Sequence, residues 1–143
     1  MLIVTVLRSK GDFVATVAPT ATVAELLTVL AEHRVGAVVV SEGDAIAGIV
    51  SERDVVRHLD SDGGALLERP VSDIMTADVV TCRPQTAVED LARTMTERRI
   101  RHVPVVDDDG ALAGIVSIGD VVKSRISELE GERDDLVGYI GTR

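Results

Sequence analysis

Tryptophan is absent, and Phe13 and Tyr139 are the only aromatic residues in a chain of 143. A core built almost without rings is left to Val, Ile, Leu and Ala, and the β-branched members of that set fit a mixed helix-and-sheet protein. Cysteine is nearly missing. Cys82 alone rules out an internal disulfide and fits a reducing compartment. Positive charge is scarce: 15 basic residues face 24 acidic ones, for a net charge of −9. That argues against nucleic acid as a main partner, because a phosphate backbone demands a basic face. A small phosphate ligand is compatible, since it needs only a local pocket of amides with one or two Arg or His. No apolar run approaches membrane-spanning length. The apolar start "MLIVTVLRSKGD" lacks the charged n-region and long h-region of a secretory signal. Together these shortages describe a soluble cytoplasmic protein, long enough to bury one core without a metal or disulfide.

What the chain has is repetition. "GIVSERDVV" (Gly48 to Val56) returns sixty-six residues later as "GIVSIGDVV" (Gly114 to Val122), with seven of nine positions identical. The preceding segments align too: Pro19 with Pro84, Val23 with Val88, Leu26 with Leu91, and Arg34 with Arg99. One residue is inserted in the second copy near "DDDG". Even the lead-ins rhyme weakly, "VTVL" (Val4 to Leu7) with "SDIM" (Ser72 to Met75). Two similar units are therefore expected, residues 1–64 and 65–126, followed by a C-terminal helical tail over 127–143. The Gly-rich stretch "DSDGGALLERP" reads as the linker between them.

Each unit reads as β-α-β-β-α. Pro19 and Pro84 end a short extended segment. Thr22 and Thr86 then start amphipathic helices whose apolar residues recur at helical spacing: Val23, Leu26 and Leu30, then Val88, Leu91 and Met95. The strands "GAVVV" and "HVPVV" follow, then the turns "SEGDA" and "DDDGA", then second strands ending in Ser51 and Ser117. Continuous Val/Ile runs imply strands covered on both faces. The expected fold is mixed α/β (α+β), with two units packed sheet to sheet about a pseudo-twofold axis.

Ser51-x-x-Asp54 and Ser117-x-x-Asp120 carry two compatible readings. Ser followed three residues later by an acid is a helix cap. A helix start also presents amides and a partial positive charge where a phosphate can sit, with a short carboxylate able to accept from a ribose diol. Other signals are weaker. "DDDG" lacks the alternate acids and the Glu at position twelve of a calcium loop. His33, His58 and His102 have no zinc spacing. No nucleophile has a base beside it, so no catalytic activity is expected.

"RVGAVVVSEGDAIAGIVSERDVV" and "RIRHVPVVDDDGALAGIVSIGDVV" each resemble the second half of a CBS domain, and the tandem covers about residues 1–126. The resemblance, to stand-alone bacterial signalling CBS pairs, implies a homodimer with clefts between its repeats. It implies an adenosine-containing ligand there: AMP, ADP, ATP, NAD(H) or S-adenosylmethionine. It further implies Ser or Thr at the phosphate, Asp at the ribose, and adenine beside the dipeptide containing Pro104. No cofactor is required, and a downstream protein partner is left unidentified. The competing expectation is a CBS-like scaffold that binds protein and no nucleotide.

The ligand-binding set so expected is Thr16, Gly36, Ala37, Val38, Ser51, Arg53, Asp54, Thr81, Arg101, His102, Val103, Pro104, Ser117 and Asp120. On residue type alone, Arg53 and Arg101 read equally as solvated charges, His102 as a half-buried strand residue, and Thr16 and Thr81 as strand ends. The repeat-two cleft, with Pro104 and Asp120, matches the family pattern better than the repeat-one cleft, where Val39 replaces the proline. Gly36 and Ala37 suggest extra room for a dinucleotide. In the tail, Ile126, Leu129, Leu136, Val137 and Ile140 form a broken apolar stripe, which folds back on its own sheet, packs across a dimer, or places Tyr139 near a ligand of a second copy.

Overall fold

The computed structural model describes residues 1–141. Its helices are α1 (Ile3–Lys10), α2 (Val23–His33), α3 (Glu52–Asp62), α4 (Val88–Arg98) and α5 (Ile118–Gly141). Its strands are β1 (Thr16–Val17), β2 (Ala37–Glu42), β3 (Ala45–Ser51), β4 (His102–Val106) and β5 (Leu112–Ser117), and 3-10 turns occupy Gly63–Glu68 and Val71–Asp73. None of the described helices is long and apolar enough to cross a membrane.

In the first half, β1 runs parallel to β2 (Thr16 opposite Val39) and β2 antiparallel to β3 (Ala37 opposite Ser51). In the second half, β4 and β5 pair in the same antiparallel register (His102 opposite Ser117). There the counterpart of β1 shrinks to a single bridge, Cys82 to Val105. Pro104 explains the loss. Val39 N–H donates to Ala15 O at 3.3 Å. Pro104 stands at the matching position and has no N–H to give. Val38, Val40 and Val50 face one core, and Val103, Val105 and Val116 the other. Val39 and Pro104, on the opposite faces by strand alternation, are buried as well, as expected of sheets that cover each other.

The two cores do not follow a division at residue 64. Leu66, Val71 and Ile74 lie in the core of the first sheet, while Ile3, Val6 and Leu7 lie in the core of the second. The exchange is reciprocal, bond for bond. Ile3 N donates to Thr86 O (2.9 Å) as Val71 N does to Ala21 O (2.7 Å). Val4 N donates to Pro84 O (2.8 Å) as Ser72 N does to Pro19 O (3.0 Å). Each lead-in thus completes the other half. The "linker" is ordered: α3 continues to Asp62, and the turn after it buries Leu66 completely.

The helix starts differ in detail. Thr22 caps α2 in a reciprocal box with Glu25, whose backbone N–H donates to Thr22 Oγ1 (3.1 Å). Thr86 does not cap α4: its hydroxyl oxygen accepts from Arg83 N (3.0 Å), and Ala87 is the N-cap. Over the described residues the tail does not fold back. α5 runs unbroken to Gly141, and every residue from Leu129 to Gly141 is exposed.

Candidate functional site

The lead-ins diverge at one point, and the site follows from it. After Met75 the chain forms an isolated bridge, in which Thr76 pairs with Ile49 through Thr76 N to Ile49 O (2.9 Å) and Ile49 N to Thr76 O (3.0 Å). Residues 76–80 then form one wall of a cleft of about 230 Å³ between the halves. Ile49, Val50 and the start of α3 form a second side, Gly36 and Ala37 a third, and residues 99–102 the closing side.

At the start of α3, Asp54 Oδ2 accepts from the Ser51 N–H (2.8 Å) and the Ser51 hydroxyl (3.2 Å). That is a helix cap, and it uses one carboxylate oxygen, so Oδ1 remains for a ligand. Arg53, Arg57, Arg99 and Arg101 also line the cleft, and none of them has an ion-pair partner among the described residues. They outnumber the lining carboxylates Glu52, Asp54 and Asp78. Val80 lines the cleft at the position matching Ala15, whose carbonyl accepts from Val39 N–H; Pro104 has no N–H to offer the Val80 carbonyl. Burial lowers the His102 pKa, helped by the Lys10 and Arg101 charges and opposed by Asp120 and Glu52.

The second Ser-Asp pair is differently placed. Ser117 N donates to Asp120 Oδ2 (2.8 Å), and Asp120 N donates to Ser117 Oγ (3.2 Å). Lys10, at the end of α1, then covers the acid: Nζ lies 2.5 Å from Asp120 Oδ2 and donates to Ile115 O at 2.9 Å. Burial pushes the Asp120 carboxyl up, but Lys10 and the Ser117 amide outweigh it and hold it below its ordinary value.

Of the expected set, Gly36, Ala37, Ser51, Arg53, Asp54, Arg101 and His102 come together in the open cleft. Ser117 and Asp120 do not line it. Val38, Val103 and Pro104 are buried in the strands, and Thr16 and Thr81 are exposed outside it. The motif pattern favours repeat two; the cleft lies at repeat one, and at repeat two Lys10 sits beside Asp120. Gly36 faces the His102 ring: a Cβ there would sit in ordinary contact, 3.6 Å from it. Residue patterns missed Arg57, Arg99, Asp78 and Val80. Arg99 carried a signal in its alignment with Arg34, since both hold φ near 55° as helix C-caps.

The CBS domain profile matches residues 11–61 and 71–127. A CBS-domain containing protein of Agrobacterium tumefaciens is 42% identical with a TM-score of 0.85, the match covering 87% of this chain and 99% of that one. A CBS domain protein of Pyrobaculum aerophilum, solved in complex with AMP, is 30% identical with a TM-score of 0.76, covering 84% and 89%. The mitochondrial CBS domain-containing protein CBSX3 of Arabidopsis thaliana is 40% identical over 124 residues, which are 83% of this chain and 60% of the relative's length. The exchanged lead-ins, the paired capped helices and these likenesses have one source: the chain belongs to the CBS-domain family, as a tandem pair.

Proposed function

We propose that this CBS pair is a non-catalytic regulatory module that binds one adenine mononucleotide in the repeat-one cleft and acts as a homodimer. The observation that carries the reading is the convergence of Arg53, Arg57, Arg99 and Arg101, none with an ion-pair partner among the described residues, in a chain of net charge −9. With Glu52, Asp54 and Asp78 in the same lining, the arginines still leave an excess of positive charge that an anion would balance. Phosphates suit it best, because guanidinium groups pair with them through two hydrogen bonds at once. Asp54 Oδ1 is an acceptor for a ribose diol, and the Val80 carbonyl an acceptor for an exocyclic amine. The AMP bound by the Pyrobaculum relative supports the adenosine part. A cavity of about 230 Å³ suits one nucleoside better than a dinucleotide. The open rim with Arg99 and Arg101 accepts further phosphates, which favours ATP over AMP.

Binding signals only if the ligand prefers one of two conformations. Because residues 99–102 belong to one half and residues 49–57 to the other, a nucleotide bridging them draws the halves together.

The test is a thermal-shift and calorimetric series with AMP, ATP, NADH and S-adenosylmethionine, on the wild type and Asp54→Ala. A ligand at about 100 times its dissociation constant adds roughly 2.7 kcal/mol of stability. ATP and AMP are expected to stabilise the wild type and to lose at least tenfold in affinity in Asp54→Ala. Chromatography of the same mixtures should return the nucleotides unchanged. Indifference of the wild type to every phosphate-bearing ligand at millimolar concentration leaves the scaffold function in its place.

A further inference from the structure

The long last helix poses a problem the cleft does not solve. α5 has 24 residues, about 36 Å of helix at 1.5 Å per residue. Its first part is anchored: Val121 and Ser124 are buried, and the N-terminal amine and Arg125 both meet Glu128. From Leu129 to Gly141 every residue is exposed, including Leu129, Leu136 and Ile140. A helical half that buries nothing has little to hold it, since most helices draw their stability from packing of one face.

The exposed apolar residues are spaced as a seam. Val122, Ile126, Leu129, Arg133, Leu136 and Ile140 follow steps of four and three through three heptads. In heptad terms the d positions are Val122, Leu129 and Leu136, and the a positions are Ile126, Arg133 and Ile140. Ile at a with Leu at d favours two parallel strands. The two glycines that weaken the helix, Gly131 and Gly138, both fall at f, the position farthest from the seam. We propose that α5 pairs with α5 of a second copy as a parallel, in-register two-stranded coiled coil over residues 122–140. The inference shares with the functional reading only the homodimer; it does not depend on a nucleotide.

Charge selects this partner and this orientation. In a parallel pair each Arg133 enters a hole lined by Leu129, Glu132, Arg133 and Leu136 of the second copy, so it meets one like charge and one carboxylate that offsets it. Arg125 at g faces Glu130 at e of the other strand. Glu130 has no ion-pair partner within its own chain among the described residues. An antiparallel pair centred on the same segment would instead set Glu130 against Glu130 and Glu132 against Glu132. A single charged a position costs stability but fixes register and strand number.

Light scattering and sedimentation of the full chain test the proposal. Wild type is expected at twice 15.2 kDa in the micromolar range. Leu129→Glu with Leu136→Glu should raise the dimer dissociation constant at least 100-fold, while Gly131→Ala with Gly138→Ala should leave it equal or tighter. Under mild oxidation Arg133→Cys should yield a covalent dimer, because only parallel in-register strands bring the two copies of that position together. A monomeric wild type at 100 µM removes both the dimer and its seam. A dimer indifferent to the double Glu substitution removes the seam alone and moves the contact to the α3 face bearing Val56 and Leu59. Dissociation by that substitution without crosslinking of Arg133→Cys rejects the parallel orientation. An ATP thermal shift retained in the dissociated variant shows that the cleft reading stands or falls separately.

Discussion

Lys10 Nζ lies 2.5 Å from Asp120 Oδ2 and also donates to the carbonyl of Ile115. In the other half, the residue equivalent to Ile115 is Ile49, and its carbonyl is satisfied by the backbone of Thr76. One repeat closes its strand edge with main chain, the other with a side chain from α1. The consequence, from near-identical Ser-x-x-Asp motifs, is an open cleft beside Asp54 and an Asp120 covered by an ammonium.

Lys10→Met should therefore expose Asp120. In calorimetry the number of ATP bound per chain is expected to rise from one toward two, with the second site weaker because it lacks the arginines. The substitution should also cost about 1 kcal/mol at pH 7, the scale of a partly buried charged hydrogen bond. A carboxyl held below its ordinary value stabilises the fold above about pH 4 and loses that contribution as the pH falls through its folded value. The gap in urea midpoint between wild type and Lys10→Met should therefore close by pH 2–3. Unchanged stoichiometry would show that something besides Lys10 blocks the cleft.

The duplication, the β-α-β-β-α order and both capped helix starts were legible because each is local: a period, a proline, a Ser three residues before an acid. The weak rhyme of "VTVL" with "SDIM" was also real, since both lead-ins dock alike. What the chain did not reveal was which half each lead-in completes, or that α1 is a helix ending in a lysine that reaches Asp120, 110 residues away. Those are facts of packing between distant segments. Arg57, Arg99 and Asp78 went unseen for the same reason: they lie in three separate segments and share a cleft only after the halves meet.

The repeated glycines respond differently to the same change. A Cβ on Gly48 would lie 2.8 Å from the main-chain oxygen of Thr76 and 2.6 Å from Met75 Sδ. On Gly114 it would meet only the Leu7 side chain, the nearest atom at 2.7 Å. Backbone in a paired strand cannot step aside, whereas a leucine can change rotamer. Gly48→Ala is expected to cost about 2–3 kcal/mol and Gly114→Ala about 1 kcal/mol in urea denaturation. Equal losses would mean that α1 is held as rigidly as the main chain paired at Thr76.

Arg34 and Arg99 both cap helices in the left-handed region, at φ 54° and 55°. Glycine is the residue this position favours. Arg34→Gly should thus stabilise the protein slightly, by roughly 0.5–1 kcal/mol. Arg99→Gly should bring a similar gain and yet weaken ATP about tenfold, with a smaller effect on AMP. If both glycines leave ATP affinity intact, Arg99 serves the helix end and not the ligand.

His102 makes the cleft sensitive to pH. Burial holds its imidazole below the ordinary histidine value, with Lys10 and Arg101 pushing the same way and Asp120 and Glu52 opposing. A base whose pKa is lower folded than unfolded binds fewer protons when folded, so stability falls as the pH drops below about 6.5 toward the folded value. A phosphate arriving beside this ring reverses the preference, because an anion favours imidazolium. ATP binding at pH 6 is therefore expected to take up a fraction of a proton, visible as a dependence of the calorimetric enthalpy on the buffer's ionisation enthalpy. ATP affinity should rise several-fold between pH 7.5 and 6, and His102→Gln should abolish both the uptake and the rise. Proton uptake that persists in His102→Gln would assign it to the nucleotide's own terminal phosphate, and the ring would then be a wall of the cleft and nothing more.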